Sequence, residues 1–357
     1  MILKNLLIFY SEDLIPISGY LKIKGDEITE IGEGYNFYGI DMKGRWMLPS
    51  FINTHTHLGD SCLVEQCYSL SLEDCVGPKG LKHKLLGKKS NEDIINGIKS
   101  SLDIMLACGT LAFCDFREGG KNGIILLKEA LKHYPIKGII LGRPNGDYDA
   151  IEYADGWGIS SVRDYNEREL EEMSNRRGKK LLGIHACEIY SDELLECMKY
   201  EPDFLVHLTK ASEYEVDYAI KKEVPIVICP RSNLYFRLGI PSASILNSKY
   251  ICLGTDNAMA NTPDILEEMR FSFRLYSNIS RDTIDPKIFL KAITVNPSEV
   301  LKLDFGIIEE GKRANLVIIN PEKELKWAKD PLLAFVSRGR SEHVHQVVKD
   351  GKILIWK

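Results

Sequence analysis

At 357 residues the chain is long for one simple domain and short for three, so one large domain with a small companion is the natural division. Its apolar share of 44% and charged share of 27% are those of a globular protein. A formal net charge of -5 supplies no basic surface for nucleic acid or an anionic membrane.

Met1–Tyr10 lacks the cationic start, apolar core and cleavage site of a signal peptide, and reads as a strand. Residues 2–9 and 17–24 are short β-rich runs, and Gly25-Asp26 turns the second into Glu27–Ile31. The C-terminus is patterned alike, with Asn315–Ile319, then Val344–Lys349, a turn at Asp350-Gly351, and Ile353–Trp356. Strands at both ends predict a small β domain of residues 1–48 plus 306–357.

Residues 49–305 alternate differently, with apolar runs bounded by Gly, Pro, Asp and Asn followed by amphipathic stretches. Candidate strands are Met47–Asn53, Thr110–Phe116, Lys137–Gly142, Gly156–Val162, Leu181–His185, Phe204–His207, Val224–Cys229 and Tyr250–Gly254. Helical patterns lie between them at Asp93–Cys108, Gly123–His133, Glu167–Arg177 and Glu213–Lys222. The fold class is therefore α/β, and the count and size fit a (β/α)8 TIM barrel. No apolar run reaches the roughly 18 residues of a membrane span. The nine cysteines are odd in number and never spaced C-x-x-C, so they are expected reduced, without a disulfide framework, in a cytoplasmic protein.

The active site of such a barrel lies at the C-terminal ends of its strands. The first strand runs into His55-Thr56-His57, whose alternate residues can face one centre. The fifth ends in His185, the sixth in His207, and the eighth leads to Asp256. Histidine nitrogens with a carboxylate oxygen suit Zn²⁺, or alternatively Fe²⁺, and leave a position for water.

These residues carry a family resemblance. Pro49-Ser-Phe-Ile-Asn-Thr-His-Thr-His57 resembles the opening motif of the amidohydrolase superfamily. His185-Ala-Cys-Glu188, Cys229-Pro-Arg-Ser-Asn233 and Leu253-Gly-Thr-Asp-Asn257 resemble motifs of its cytosine, guanine and adenosine-derivative deaminase and triazine chlorohydrolase branch. Ala292–Pro297 and Gly311–Leu316 resemble its C-terminal signature. The resemblance spans nearly the whole chain. It implies a β-sandwich built from both termini beside the barrel. It also implies one divalent metal on His55, His57, His185 and Asp256, a proton shuttle at Glu188, and a substrate-facing His207. Asp256 would in addition take a proton from the metal's water. Binuclear members carry a carboxylated lysine on the fourth strand, and Gly156–Arg163 contains no lysine, so one metal is expected.

The implied activity is hydrolytic deamination of an amino-substituted heterocycle: a purine, pyrimidine, pterin or nucleoside derivative. Hydroxide on the metal would attack the ring carbon, since a bound metal brings the pKa of water to about 7. The ring nitrogen and the leaving amine each need a proton, which a carboxyl beside the metal can deliver. The alternatives are opening a cyclic amide or displacing chloride or an alkylamine from a triazine. A non-catalytic binding relative is the third reading, against which stands a full set of ligands. Arg117, Arg143 and Arg231 could hold a carboxylate, phosphate or ring carbonyl. Asp60, Asp115 and Glu118 could bind amines or hydroxyls, and Asn257 adjoins the metal ligand Asp256. The long segment 59–89 is a candidate lid. His343-Val-His345 reads as a pair on a strand surface. The partner is a small heterocyclic molecule, with no organic cofactor, nucleic acid or membrane, and analogy leaves a homo-oligomer open.

Overall fold

The structure is a computed structural model describing residues 1–144, 146, 148–322 and 324–354. The chain opens with strands β1 (Ile2–Tyr10), β2 (Ile15–Lys24), β3 (Glu27–Glu33) and β4 (Ile40–Pro49). The middle holds β5 (Phe51–His57), β6 (Thr110–Arg117), β7 (Lys137–Gly142), β8 (Gly156–Ile159) and β9 (Leu181–Ala186). It continues with β10 (Phe204–His207), β11 (Ile226–Ile228), β12 (Ile251–Leu253) and β13 (Asp256–Asn257). The end holds β14 (Leu316–Ile319), β15 (Val344–Lys349) and β16 (Lys352–Leu354). The expected strand at Ile353–Trp356 falls partly outside the described residues. Backbone contacts divide the chain into two compact units.

The first unit takes Met1–Ile52, Met105–Leu111 and the chain from Ile265 on. Its strands form one seven-stranded sheet in the order β16-β15-β14-β4-β1-β2-β3. A sandwich of terminal strands was expected; their hydrogen bonding makes a single continuous sheet. The link is β4, parallel to β1 on one side and antiparallel to β14 on the other. The sequence pattern marked only the end of β4, within Met47–Asn53, because Lys43 and Gly44 turn left-handed (φ 57° and 74°) and the β1–β4 register shifts between Lys4 and Leu6. Leu3, Ile8, Leu21, Ile28, Met47, Leu316, Ile318 and Val348 are buried in one cluster. His343 is buried rather than on a strand surface, while His345 is exposed on β15: His343 ends a 3₁₀ turn, and its Nδ1 accepts the Arg340 N–H at 3.1 Å.

The second unit takes Asn53–Ile104 and Ala112–Asp264. Its parallel sheet runs β12-β11-β10-β9-β8-β7-β6-β5-β13. Parallel strands covered on both faces read as unbroken apolar runs, and every residue of β6 and β9 is buried. Gly156–Val162 ends early, at Ile159, and Val224–Cys229 narrows to Ile226–Ile228, while two other expected strands are divided. Met47–Asn53 is split at Ser50, since Pro49 has no N–H to carry one ladder onward; β4 ends there and β5 runs on to include both histidines. Tyr250–Gly254 is followed by a second short piece: β12 pairs with β11, whereas β13 pairs with β5. The two ends of the sheet order are thus successive pieces of one segment. Thr255 between them donates its N–H to Asn53 Oδ1 at 3.1 Å, and Asn53 Nδ2 donates to Thr255 Oγ1 at 2.8 Å. Gly254 is required there, because a Cβ would lie 2.6 Å from the Cβ of His55.

The helices Asn91–Ala107, Gly120–Leu131, Glu167–Arg176 and Glu213–Lys221 lie within a few residues of expectation. Asn166 with Glu169, and Ser212 with Glu215, close capping boxes that fix two of their starts. Among the described residues no helix is long and apolar enough to cross a membrane.

The segment after β5 is not an open loop. It contains a 3₁₀ turn (Leu58–Leu63) and short helices Leu72–Val76 and Leu81–Leu86, packed on a cluster of Leu63, Cys67, Leu72, Cys75, Phe236 and Met259. Cys67 and Cys75 are joined in a disulfide, which corrects the expectation of reduced cysteines throughout. The fold brings their Cα atoms to 5.7 Å, a proximity that no C-x-x-C spacing announced. Closing so short a loop restricts the unfolded chain, so Cys67→Ser is expected to cost about 2–3 kcal/mol. Chemical denaturation with and without a dithiol reductant checks this: the reductant should destabilise the native chain and leave the variant unmoved.

Candidate metal centre and cavity

His55 and His57 share one side of β5 because the residue between them is tethered the other way. Thr56 Oγ1 donates to Asp115 Oδ2 at 3.0 Å, and the Leu58 N–H donates to the same oxygen at 2.6 Å. Two backbone carbonyls then fix ring orientation. His57 Nδ1 lies 3.1 Å from Phe116 O, and His185 Nδ1 lies 2.7 Å from Ile159 O. A carbonyl can only accept, so each Nδ1 carries the proton and each Nε2 turns a lone pair inward. His55 Nε2 is 3.2 Å from His185 Nε2 and 3.2 Å from Asp256 Oδ1. His57 Nε2 is 3.4 Å from that same oxygen.

One ligand atom from each of His55, His57, His185 and Asp256 lies within 4.8 Å of every other, and all four residues are buried. Burial drives the His55 pKa down to about 3 and that of His185 well below the ordinary value, so both rings stay neutral at physiological pH. Asp256 Oδ1 is buried without a hydrogen-bond donor. Inward lone pairs around a carboxylate repel one another unless a cation sits between them. The donor set fits a divalent metal.

The backbone is bent to reach this arrangement. Asp256 (φ 61°) and His207 (φ 79°) both adopt the left-handed region, which non-glycine residues avoid unless their surroundings hold them there. The holding groups come from the helix Pro230–Tyr235. Ser232 Oγ donates to Asp256 Oδ2 at 2.5 Å, which leaves Oδ1 to face the centre. Asn233 Oδ1 lies 3.0 Å from His207 Nδ1, and Asn233 Nδ2 donates to Thr209 Oγ1 at 2.7 Å. Ser232→Ala is expected to weaken metal retention by about 10- to 100-fold. Competition against a coloured chelator reads this out, and unchanged retention would make the contact one of packing alone.

A cavity of about 430 Å³ opens beside the centre, within the range of small-molecule sites. His57, His185, His207, Glu188, Asp256 and Asn257 line it, as do Leu72, Val76 and Pro78 of the candidate lid. Glu188 Oε1 is 3.4 Å from His207 Nε2, an atom with no hydrogen-bond donor or acceptor of its own among the described residues. Burial raises the Glu188 pKa, with His207 working against the rise and Asp256 adding to it. Glu188, His207 and Asp256 form a second set of close ligand atoms that shares Asp256 with the first.

The other sequence candidates divide. Arg143 and Asn257 line the cavity. Arg117 does not: it is buried, with Nη2 on Glu118 Oε2 at 2.8 Å and Nη1 3.4 Å from Asp115 Oδ1. Asp60 is also interior, its Oδ1 accepting the Met259 N–H at 3.0 Å, and burial lifts its pKa to about 6. Arg231 turns away from the cavity and donates to Thr262 O and Thr262 Oγ1. Successive helical residues point about 100° apart, so the Cys229–Asn233 motif sends Ser232 and Asn233 inward and Arg231 outward. Lys82 belongs to a basic run, Lys82-His83-Lys84, that reads in sequence as a solvated loop or part of the lid, yet it is 1% exposed and lines the cavity. One basic residue in a basic run gives no sequence signal of its own.

The sequence matches the amidohydrolase family over residues 46–203 and 199–354, and the chain belongs to that family. It is 34% identical to an uncharacterised protein of Methanocaldococcus jannaschii, over 92% of this chain and 93% of the relative. It is 24% identical to the 5-methylthioadenosine/S-adenosylhomocysteine deaminase of Dictyoglomus turgidum, over 100% of this chain and 93% of that one. Among solved structures it resembles a zinc-bound adenosine deaminase from Xanthomonas campestris, with TM-score 0.84 and 17% identity over 98% of this chain and 93% of the other. It resembles equally the zinc complex of atrazine chlorohydrolase from Arthrobacter aurescens, with TM-score 0.84 and 17% identity over 99% and 95% of the two chains. The fold is thus α/β with a parallel sheet that matches amidohydrolase barrels, and the chain is a hydrolase of carbon–nitrogen bonds other than peptide bonds.

Proposed function

We propose that this chain is a mononuclear metal-dependent aminohydrolase that releases ammonia from an amino-substituted heterocycle. The carrying observation is the set of four buried ligands with inward lone pairs beside a cavity that also holds an acid of raised pKa. His55, His57, His185 and Asp256 would hold one divalent ion, zinc in preference to iron. A cation there supplies Lewis acidity, which makes water a competent nucleophile near neutral pH.

The chain's own groups handle substrate and protons. Asp256 Oδ1 accepts a proton from the attacking water. Glu188 carries a proton to the ring nitrogen and then to the departing amine, which leaves as ammonia. His207, whose Nε2 meets the Glu188 carboxyl, orients the ring. Glu188 and His207 are assigned to substrate because they line the cavity and stand outside the four-ligand cluster. The nine strand pieces, with β12 and β13 taken as one, read as a closed (β/α)8 barrel over residues 49–305. Residues 1–48 with 306–357 then form the accessory β domain.

Ammonia release by zinc-loaded protein, measured across amino-purines, amino-pyrimidines, their nucleosides and aminopterins, tests the reading. Release from at least one ring is expected. Silence across the panel from protein with one bound metal would turn the assignment to ring opening or displacement.

A further inference from the structure

Charge is unevenly placed around the cavity. Lys82 reaches it from the helix Leu81–Leu86, and Arg143 from the residue after β7. Lys82 Nζ lies 2.6 Å from Glu118 Oε1, 3.3 Å from Asn257 Oδ1 and 3.7 Å from Asp60 Oδ2. Arg143 Nη1 lies 3.9 Å from that same Glu118 oxygen. Glu118 itself does not line the cavity; it stands behind both cations.

That carboxylate is already saturated. Its Oε2 accepts from Arg117 at 2.8 Å, and its Oε1 is also 3.2 Å from His57 Nδ1. Arg143, at 3.9 Å, gets charge proximity from Glu118 but no hydrogen bond. Its Nε is buried and has no hydrogen-bond partner among the described residues. A buried guanidinium donor left unmet is costly, and Arg143, unlike Arg117, lines a cavity from which a ligand can reach its guanidinium. The cavity's third cation, Arg163, is half exposed and so screened by solvent, whereas Lys82 keeps its bond to Glu118 but is buried at the cavity wall. Of the remaining lining acids, Glu73 and Asp164 are exposed to solvent.

We propose that Lys82 and Arg143 form a subsite for a small oxyanion, a carboxylate or phosphate, borne by the heterocycle that the metal centre hydrolyses. The ring belongs to the aminohydrolase reading above; the anion stands on the cation pair alone. Both nitrogens lie within 4 Å of one Glu118 oxygen, a spacing at which they can share one oxyanion placed on the cavity side. Arg143 contributes a fork and Lys82 a point charge. The apolar wall of Leu72, Val76 and Pro78 lowers the local dielectric and strengthens both contacts.

Equilibrium binding by titration calorimetry to metal-loaded protein carrying Glu188→Gln, which holds turnover down, tests this with rings that differ only in the anion: adenosine against adenosine 5′-monophosphate, and pterin against pterin-6-carboxylate. One anionic member is expected to bind at least about tenfold more tightly than its neutral partner. Arg143→Gln should bring that pair to within about threefold. Lys82→Met serves as a second variant, and Arg143→Gln decides the matter if burying an unpaired Glu118 unfolds it. The pair that shows the preference identifies the anion as phosphate or carboxylate. No preference in either pair, or a preference untouched in Arg143→Gln, overturns the proposal. Because binding is read apart from turnover, silence of the native protein across the whole ammonia panel would sink the aminohydrolase reading, while an anion preference lost in Arg143→Gln would leave the subsite standing.

Discussion

Glu188→Gln is expected to cut ammonia release by about three orders of magnitude, the loss that follows removal of a positioned acid–base group. Glutamine keeps the shape of the side chain and its reach to His207 Nε2, 3.4 Å away, but it cannot give or take the proton. The side chain is 17% exposed, and burial raises its pKa, so glutamate there holds a proton nearer neutrality than a surface carboxyl does. Bound metal is the paired measurement. Glu188 belongs to the second set of close ligand atoms and not to the first, so metal content by atomic emission should stay at the native value. Metal lost along with activity would move the ion to the Glu188–His207–Asp256 set. Activity kept above about one tenth would remove Glu188 from proton transfer altogether.

The parts of this molecule legible in its sequence are those whose signal is local. β7 and β10 coincide with their expected bounds, because a parallel strand covered on both faces is a short unbroken apolar run between turn residues. The gathering of His55, His57, His185 and Asp256 was legible because each sits near the end of a strand of one parallel sheet. What stayed hidden depends on tertiary proximity. β4 carries charges and a left-handed step at Lys43-Gly44, so nothing in its pattern before Met47 marks a strand; its partners β1 and β14 make it one. Cys67 and Cys75 meet only because the segment between them folds onto Leu63 and Met259. Arg231 and Ser232 are neighbours in one motif, and the helix that begins at Pro230 decides which of them faces Asp256. Arginine is the conspicuous residue of that motif to a reader of sequence, and serine is the one that touches the centre.

Asp256→Asn is expected to lower metal affinity by more than about 100-fold, since it removes a ligand where second-sphere changes alone cost 10- to 100-fold. The substitution is chosen to change charge and little else. Asparagine tolerates the left-handed φ of 61°, and its Oδ1 can still accept the Ser232 hydroxyl. What it cannot supply is the single negative charge among three imidazoles. Protons on His55 and His185 do not compete for the site near neutral pH, because burial holds the His55 pKa at about 3 and that of His185 well below its ordinary value. Affinity should therefore depend on the carboxylate rather than on proton release from those rings. Native protein stripped by a chelator should lose activity and regain it with zinc. The variant given excess zinc should recover metal but not ammonia release, because asparagine cannot accept the proton of the attacking water. Full activity in zinc-saturated Asp256→Asn would leave Asp256 a ligand only and pass the base to Glu188. Tight metal binding in the variant at chelator-buffered zinc would overturn the quartet itself.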